Sequence, residues 1–247
     1  MASTSIKLFT KSIFETAGTV TIAGDPDTGY PESRLYDRSI SLYWKDTADT
    51  TGYFYADHSS STPTVDFLAI EKHNFSGETM TWEYSSDNAA WTKASTDWLQ
   101  GDNNQIIKTI SSPTTLGDYW RVTVTQTSNP QCSEVYVSHG FEYDILSSPA
   151  PRKASVSNVQ WNRSLGGVER ATKFGDTRKS RTYTLFLSST ELTDFRNNMA
   201  DLDELSKPFY IKDDDGNYWM ARLVGDPVET PDHPDHTHVT INLLEQL

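Results

Sequence analysis

The sequence predicts a mainly β protein: an N-terminal β-sandwich followed by a β-rich domain with one short α-helix. Three observations lead there. Segments of alternating apolar and polar residues recur through the first part of the chain, separated by Gly, Asp, Asn and Ser clusters at sandwich spacing. Ser147-Ser148-Pro149-Ala150-Pro151 is a linker that stops both helix and central strand, so the boundary is placed at about residue 149. Downstream, a single segment has helical periodicity behind a capping signal.

The strands follow in order. Phe67-Leu68-Ala69-Ile70 is a short apolar run suited to an inner strand. Thr79–Ser85 alternates, with Met80, Trp82 and Tyr84 on one face. Tyr119–Thr125 alternates likewise and turns Trp120, Val122 and Val124 inward. Val135-Tyr136-Val137 and Phe141-Glu142-Tyr143 complete the first domain, residues 1–149. In the second, residues 150–247, Arg181–Leu187 reads as a strand. Ser188 and Glu191 form a capping box, and Leu192, Phe195, Met199 and Leu202 share a helical face, so a helix is expected near 189–205, ended by Pro208. Phe209-Tyr210-Ile211 and Tyr218–Leu223 flank a hairpin turn at Asp215-Gly216. His238–Leu244 closes the domain with Val239, Ile241 and Leu243 inward.

Composition narrows the function. The 247 residues include 12 tyrosines, 10 phenylalanines and 7 tryptophans, ample for a β core, and 22% are charged. No apolar run approaches the roughly 18 residues of a membrane span, and Met1–Lys7 has no apolar stretch of the signal-peptide kind. One cysteine, Cys132, rules out an internal disulfide framework and a Cys-based zinc site, and reads as a small core or surface residue. The net charge of −13 argues against nucleic-acid binding. Its distribution is uneven: residues 1–149 are net −10, residues 150–182 net +6, and residues 183–247 net −9. The basic stretch could pair within the fold, face solvent, or meet a neighbouring copy.

Motifs for chemistry are weak. Asp232-His233-Pro234-Asp235-His236-Thr237-His238 offers zinc-type ligands, but Pro234 separates His233 from the other two histidines. Asp213-Asp214-Asp215-Gly216-Asn217 fails the EF-hand spacing, since the sixth and twelfth positions are Tyr218 and Val224. Ser85–Thr92 reads as a tight turn, with Asp87 and Asn88 capping backbone amides and Trp91 folding back on the sheet. There is no G-x-S-x-G, H-E-x-x-H or phosphate-loop pattern. Nothing singles out one pair among 34 acids for glycoside hydrolysis. The reading is a protein without catalysis, cofactor or bound metal.

An ordered series of segments carries a resemblance. Leu68-Ala69-Ile70-Glu71-Lys72-His73-Asn74, then Tyr84-Ser85-Ser86-Asp87, Trp91-Thr92 and Tyr119-Trp120-Arg121-Val122 resemble the discoidin-like (galactose-binding-like) jelly roll over about residues 30–146. Upstream, Ser33–Arg38 followed by Trp44 is similar to a loop of that family. The form with Leu-Ala-Ile-x-x-His-Asn resembles tail-tip proteins of tailed bacteriophages, of the distal tail or minor tail kind. In those, a second β domain has an Asn-Arg-Ser-x-Gly-Gly segment and a Lys-Pro-Phe-Tyr strand, matched by Asn162–Gly167 and Lys207–Tyr210. The lectin sugar and calcium loops are not matched.

That resemblance implies a structural virion protein of the tail, assembled in the host cytoplasm. It would form a ring, of six copies, joining the tail tube to the baseplate hub or fibres. Contact candidates between copies are Arg152, Arg163, Arg170, Lys173, Arg178, Lys179 and Arg181, with Phe174 or Tyr183 supplying apolar contact. The alternative is a carbohydrate-binding module contacting a host-surface glycan. Exposed aromatics lining a groove favour binding; aromatics buried at subunit contacts favour assembly. No membrane insertion is expected.

Overall fold

A computed structural model describes residues 4–22, 27–46, 52–125, 129–148, 150–163, 167, 169–202 and 205–246. The chain divides into two compact units, Phe9–Gly140 and Met1–Leu8 with Phe141–Leu247.

The Phe9–Gly140 unit is a β-sandwich of the jelly-roll type. One sheet runs Thr19–Ile22, Gly52–Asp57, Tyr119–Thr125, Thr79–Ser85, Thr92–Lys93, with Trp98–Leu99 also on Thr79–Ser85. The facing sheet runs Glu134–Ser138, Val65–Glu71, Ile106–Thr114. A one-residue slip would turn every inward side chain out, so the alternation dictates register. Val122 stands between Phe54 and Trp82, and Trp120 between Ala56 and Tyr84. Trp82, Trp120, Phe54 and Met80 bury completely against Leu68, Ile70 and Val135. Val65–Glu71 is buried on both faces, because Phe67, on its far face, stacks on Phe9 at 4.0 Å between ring centroids. Phe67, Ile70, Trp82, Trp120 and Val122 thus lie inside as the pattern requires. Cys132 is buried in the same core.

The other unit is a sheet that closes on itself. Thr4–Phe9 pairs with Phe141–Ile145, and the order continues from Thr4–Phe9 through Phe209–Lys212 and Tyr218–Leu223 to His236–Glu245. Glu169–Ser188 pairs with both Phe141–Ile145 and His236–Glu245, completing a barrel. Arg152–Arg163 and Val228–His233 are the two outer edges. Tyr183, Leu185 and Leu187 fill the interior with Val239, Ile241 and Leu243. The helix Ser189–Ala200 lays Phe195 and Met199 on this core, and its capping box is present.

Three expectations change. The division falls between residues 140 and 141, not near 149, because Phe141–Ile145 is needed to pair with the N-terminal strand, a contact no local pattern announces. The helix ends at Ala200, well before Pro208. The acidic Asp201 at its C-cap sits unfavourably on the helix dipole, and the Leu202 amide turns back to the Met199 carbonyl at 3.1 Å. Tyr183 is fully buried in the barrel, so it cannot supply contact between copies.

Candidate functional site

The outward face of the five-strand path carries the site. Residues alternating with the buried ones form a cross-strand row, Thr21–Tyr55–Arg121–Glu83–Lys93, one residue from each strand. Tyr53 and Tyr119 flank that row on the same face. The turn after Thr79–Ser85 brings in the other wall. Asp87 Oδ1 accepts from the amides of Ala89 and Ala90, both at 2.9 Å, and from the Ser85 hydroxyl at 2.9 Å. Those bonds hold the Asp87 carboxyl below its usual range and place Asn88 in the left-handed region at φ 57°. Trp91 then folds back over the sheet, as the turn chemistry anticipates.

The result is an open cleft of about 260 Å³ lined by Thr21, Tyr53, Tyr55, Asn88, Trp91 and Arg121. The Arg121 guanidinium lies 3.9 Å from the Trp91 ring centroid, within cation–π range. Its Nε donates to Glu83 at 2.7 Å, which fixes the guanidinium plane and offsets its charge. Tyr55 meets Trp91 edge-on at 6.2 Å and stacks with Tyr119 at 6.1 Å. Burial, with Asp57 and Tyr119 nearby, pushes the Tyr55 phenol up to about 12, so it stays a hydrogen-bond donor. The six lining residues contain no carboxylate, thiol or imidazole. They offer aromatic faces, hydroxyls, an amide and a guanidinium on a rigid sheet, a set suited to binding. A smaller pair lies in the loop region, where half-buried Tyr30 and exposed Tyr43 stack at 4.8 Å beside Arg34.

Of the motif residues behind the resemblance, Trp91 and Arg121 line the cleft, whereas His73 and Asn74 are structural. Phe75 N–H donates to His73 Nδ1 at 3.1 Å, leaving Nε2 to donate to the Asn104 carbonyl at 2.5 Å. Asn74 ties its loop to Asn129 and Gln131 at 2.8 and 3.0 Å. Desolvation holds the His73 imidazole below its usual range.

The basic candidates lie on one long hairpin, Arg152–Arg163 with Glu169–Ser188, and they separate into two groups. Lys179 pairs with Glu245 at 3.3 Å, and Arg181 donates to the carbonyls of Ala154 and Ser180. Arg152, Arg163, Arg170 and Lys173 are exposed and Arg178 half-buried; among the described residues none of these five has an ion pair. Of the matched Asn162–Gly167 segment, residues 164–166 lie outside the described residues, as does the Phe174 side chain.

Neither suspected metal cluster stands apart from the fold's own bonding. Asp213 Oδ1 takes the amides of Asp215 and Asn217, and its Oδ2 takes the Trp219 indole at 3.2 Å. Asp214 accepts from Tyr183 at 2.9 Å and pairs with Lys153, as does Asp215. His236 stacks on Phe186 at 4.6 Å, His238 faces Asp232 at 3.6 Å and His233 faces Asp235 at 3.9 Å.

The sequence reading missed the cleft because its six lining residues come from separate strands and one turn. The available signal was the outward phase of the alternating segments, where Tyr53, Tyr55, Tyr119 and Arg121 stand in place of ordinary polar residues.

No family model matches the chain, and no curated protein matches it. Among solved structures it is similar to chitosan-binding module 1 of a chitosanase/glucanase from Paenibacillus sp. IK-5, at 19% identity and TM-score 0.43 over 52% of this chain and 99% of that one. It is also similar to CpGH89CBM32-6 produced by Clostridium perfringens, at 16% identity and TM-score 0.40 over 53% of this chain and 100% of that one. A third is a GH29 fucosidase from Ruminococcus gnavus in complex with fucose, at 18% identity and TM-score 0.46 over 54% of this chain; the chain spans 28% of that enzyme.

Proposed function

We propose that the Phe9–Gly140 unit binds a glycan in the Tyr55–Trp91–Arg121 cleft, and that the protein acts by binding, without catalysis. The observation that carries this is the outward aromatic row, with Arg121 held over Trp91 by Glu83 and hydrogen-bonding side chains at its rim. A sugar ring presents apolar C–H faces that pack on aromatic rings and hydroxyls that pair with planar amide and guanidinium groups. Because Arg121 is already neutralised by Glu83, a neutral sugar suits the cleft better than an acidic one. Affinity electrophoresis of the full chain through gels holding a neutral polysaccharide (a galactan, a β-glucan or a xyloglucan) tests it. Retardation by at least one of them, abolished by Trp91→Ala, is expected; uniform mobility in every gel overturns the reading.

The second reading is assembly: a structural component of a bacteriophage tail tip, in a ring that joins the tail tube to the baseplate hub or fibres. The long basic hairpin of the other unit favours it. The two readings are compatible, since a tail-tip ring could carry glycan-binding units toward the host surface. Electron microscopy of the purified protein is the direct test, with closed rings expected and dispersed monomers against it.

A further inference from the structure

The basic hairpin is longer than its own unit needs. Glu169–Ser188 pairs with His236–Glu245 only from Ser180 onward, so residues 169–179 have Arg152–Arg163 as their sole ladder partner among the described strands. A two-stranded ribbon is marginal in water on its own. This one also carries Arg163, Arg170, Lys173 and Arg178, and it exposes Trp161 at 68% and Val159 at 38%. Like charges along a ribbon repel, and an indole left in water forfeits its burial.

The same unit offers a matching surface. Val228–His233 is the opposite outer edge of the sheet, and every one of its residues is exposed. Asp226, Glu229, Asp232 and Asp235 lie on or beside it, and no lysine or arginine follows Arg222 in the chain. Val228 is 57% exposed. Of the four acids, Glu229 is engaged by Arg196, while Asp232 and Asp235 face only the imidazoles of His238 and His233 among the described residues.

Register keeps the two surfaces apart within one molecule. Glu169 pairs with Arg163 at one end of the Glu169–Ser188 strand, and Ser188 pairs with His236 at the other. At about 3.3 Å per residue, the tips stand at opposite ends of up to roughly 60 Å of strand. A second copy can bring them together.

We propose that the basic ribbon of one copy docks along the acidic Val228–His233 edge of the next, with Trp161 and Val159 covered in the contact. Because donor and acceptor surfaces differ, the contact is head-to-tail and propagates to a ring or a filament. The net charge of −13 disfavours a polyanion as the occupant of the ribbon. The inference is independent of the glycan reading and deepens the assembly reading, though it does not require closure into a ring.

Sedimentation velocity of the full chain tests it. Self-association is expected at low salt, weakening about tenfold or more as exposed charge pairs are screened at several hundred millimolar. A basic-to-acidic variant (Arg163→Glu, Arg170→Glu, Lys173→Glu) and an acidic-to-basic variant (Asp226→Lys, Asp232→Lys, Asp235→Lys) should each be monomeric. Mixed in equal amounts they should associate again, since each reversed ribbon then meets a reversed edge. Circular dichroism establishes that both variants are folded, and the milder Arg170→Gln/Lys173→Gln variant should show an intermediate loss. A monomeric wild type at every concentration and salt, association indifferent to both reversals, failure of the folded variants to complement, or association only on adding DNA each overturns the contact. Complementing open filaments uphold the contact and refute the ring.

Discussion

Gly117 sits where Tyr84 and Trp120 leave no room for a side chain. A Cβ added there would lie 2.7 Å from Tyr84 Cβ and 3.2 Å from Trp120 Nε1 and Tyr84 Cδ2. A Cβ cannot swing away as a long side chain can, so the backbone at 116–118 has to move. That motion pulls on the Gly117 carbonyl, which accepts the Trp120 indole N–H at 2.9 Å inside the core. Overpacking of this kind costs about 1–3 kcal/mol, and a strained buried hydrogen bond adds about 1 kcal/mol. Gly117→Ala is therefore expected to destabilise the Phe9–Gly140 unit by about 2–4 kcal/mol. Gly101→Ala is the control, because its Cβ would meet nothing within 4 Å; it should fall within about 0.5 kcal/mol of the parent. Urea unfolding followed by tryptophan fluorescence suits the comparison, as five of the seven tryptophans lie in this unit. A loss at Gly117 below about 1 kcal/mol, or equal to that at Gly101, refutes the packing argument.

Three further outcomes follow from the same packing. Trp82→Ala removes a fully buried ring 5.8 Å from Trp120 and should cost about 3–5 kcal/mol in the same assay; under about 1 kcal/mol contradicts the inward assignment. His73 and His58 are held below the usual imidazole range by burial, so their protons bind the unfolded chain more readily. The stability they allow is held above the ordinary pKa near 6.5 and lost as pH falls through it toward the depressed folded values. The urea midpoint should drop from pH 7.5 to 5.5, less steeply in His73→Gln; a flat or rising midpoint is the contrary result. Asp213→Ala strips the 210–219 hairpin of three hydrogen bonds around a buried turn. It should lower the barrel unit's stability by about 2–3 kcal/mol, read from near-ultraviolet circular dichroism, with an unchanged signal against it.

Legibility followed burial. Tyr119–Thr125 and Thr79–Ser85 announced themselves because one face of each is dry, so apolar residues fall at every second position. The capping box at Ser188 and Glu191 is local chemistry and was equally plain. Arg152–Arg163 and Glu169–Lys179 gave no strand signal, because a ribbon exposed on both faces has no apolar phase to show. The division at residue 140 was hidden since it depends on Thr4–Phe9 pairing with a segment some 135 positions away. The cleft was hidden for a related reason: Tyr55, Trp91 and Arg121 belong to three different segments, and strand pairing alone sets them side by side.

Isothermal titration of the full chain with the polysaccharide that retards it, alongside Trp91→Ala, Tyr55→Ala and the loop double variant Tyr30→Ala/Tyr43→Ala, tests the central claim most directly. Loss of an aromatic stacking face should weaken binding about tenfold in each cleft variant and leave the loop variant at parental affinity. Parental affinity in both cleft variants, or loss confined to the loop variant, would contradict the glycan site placed on the sheet face.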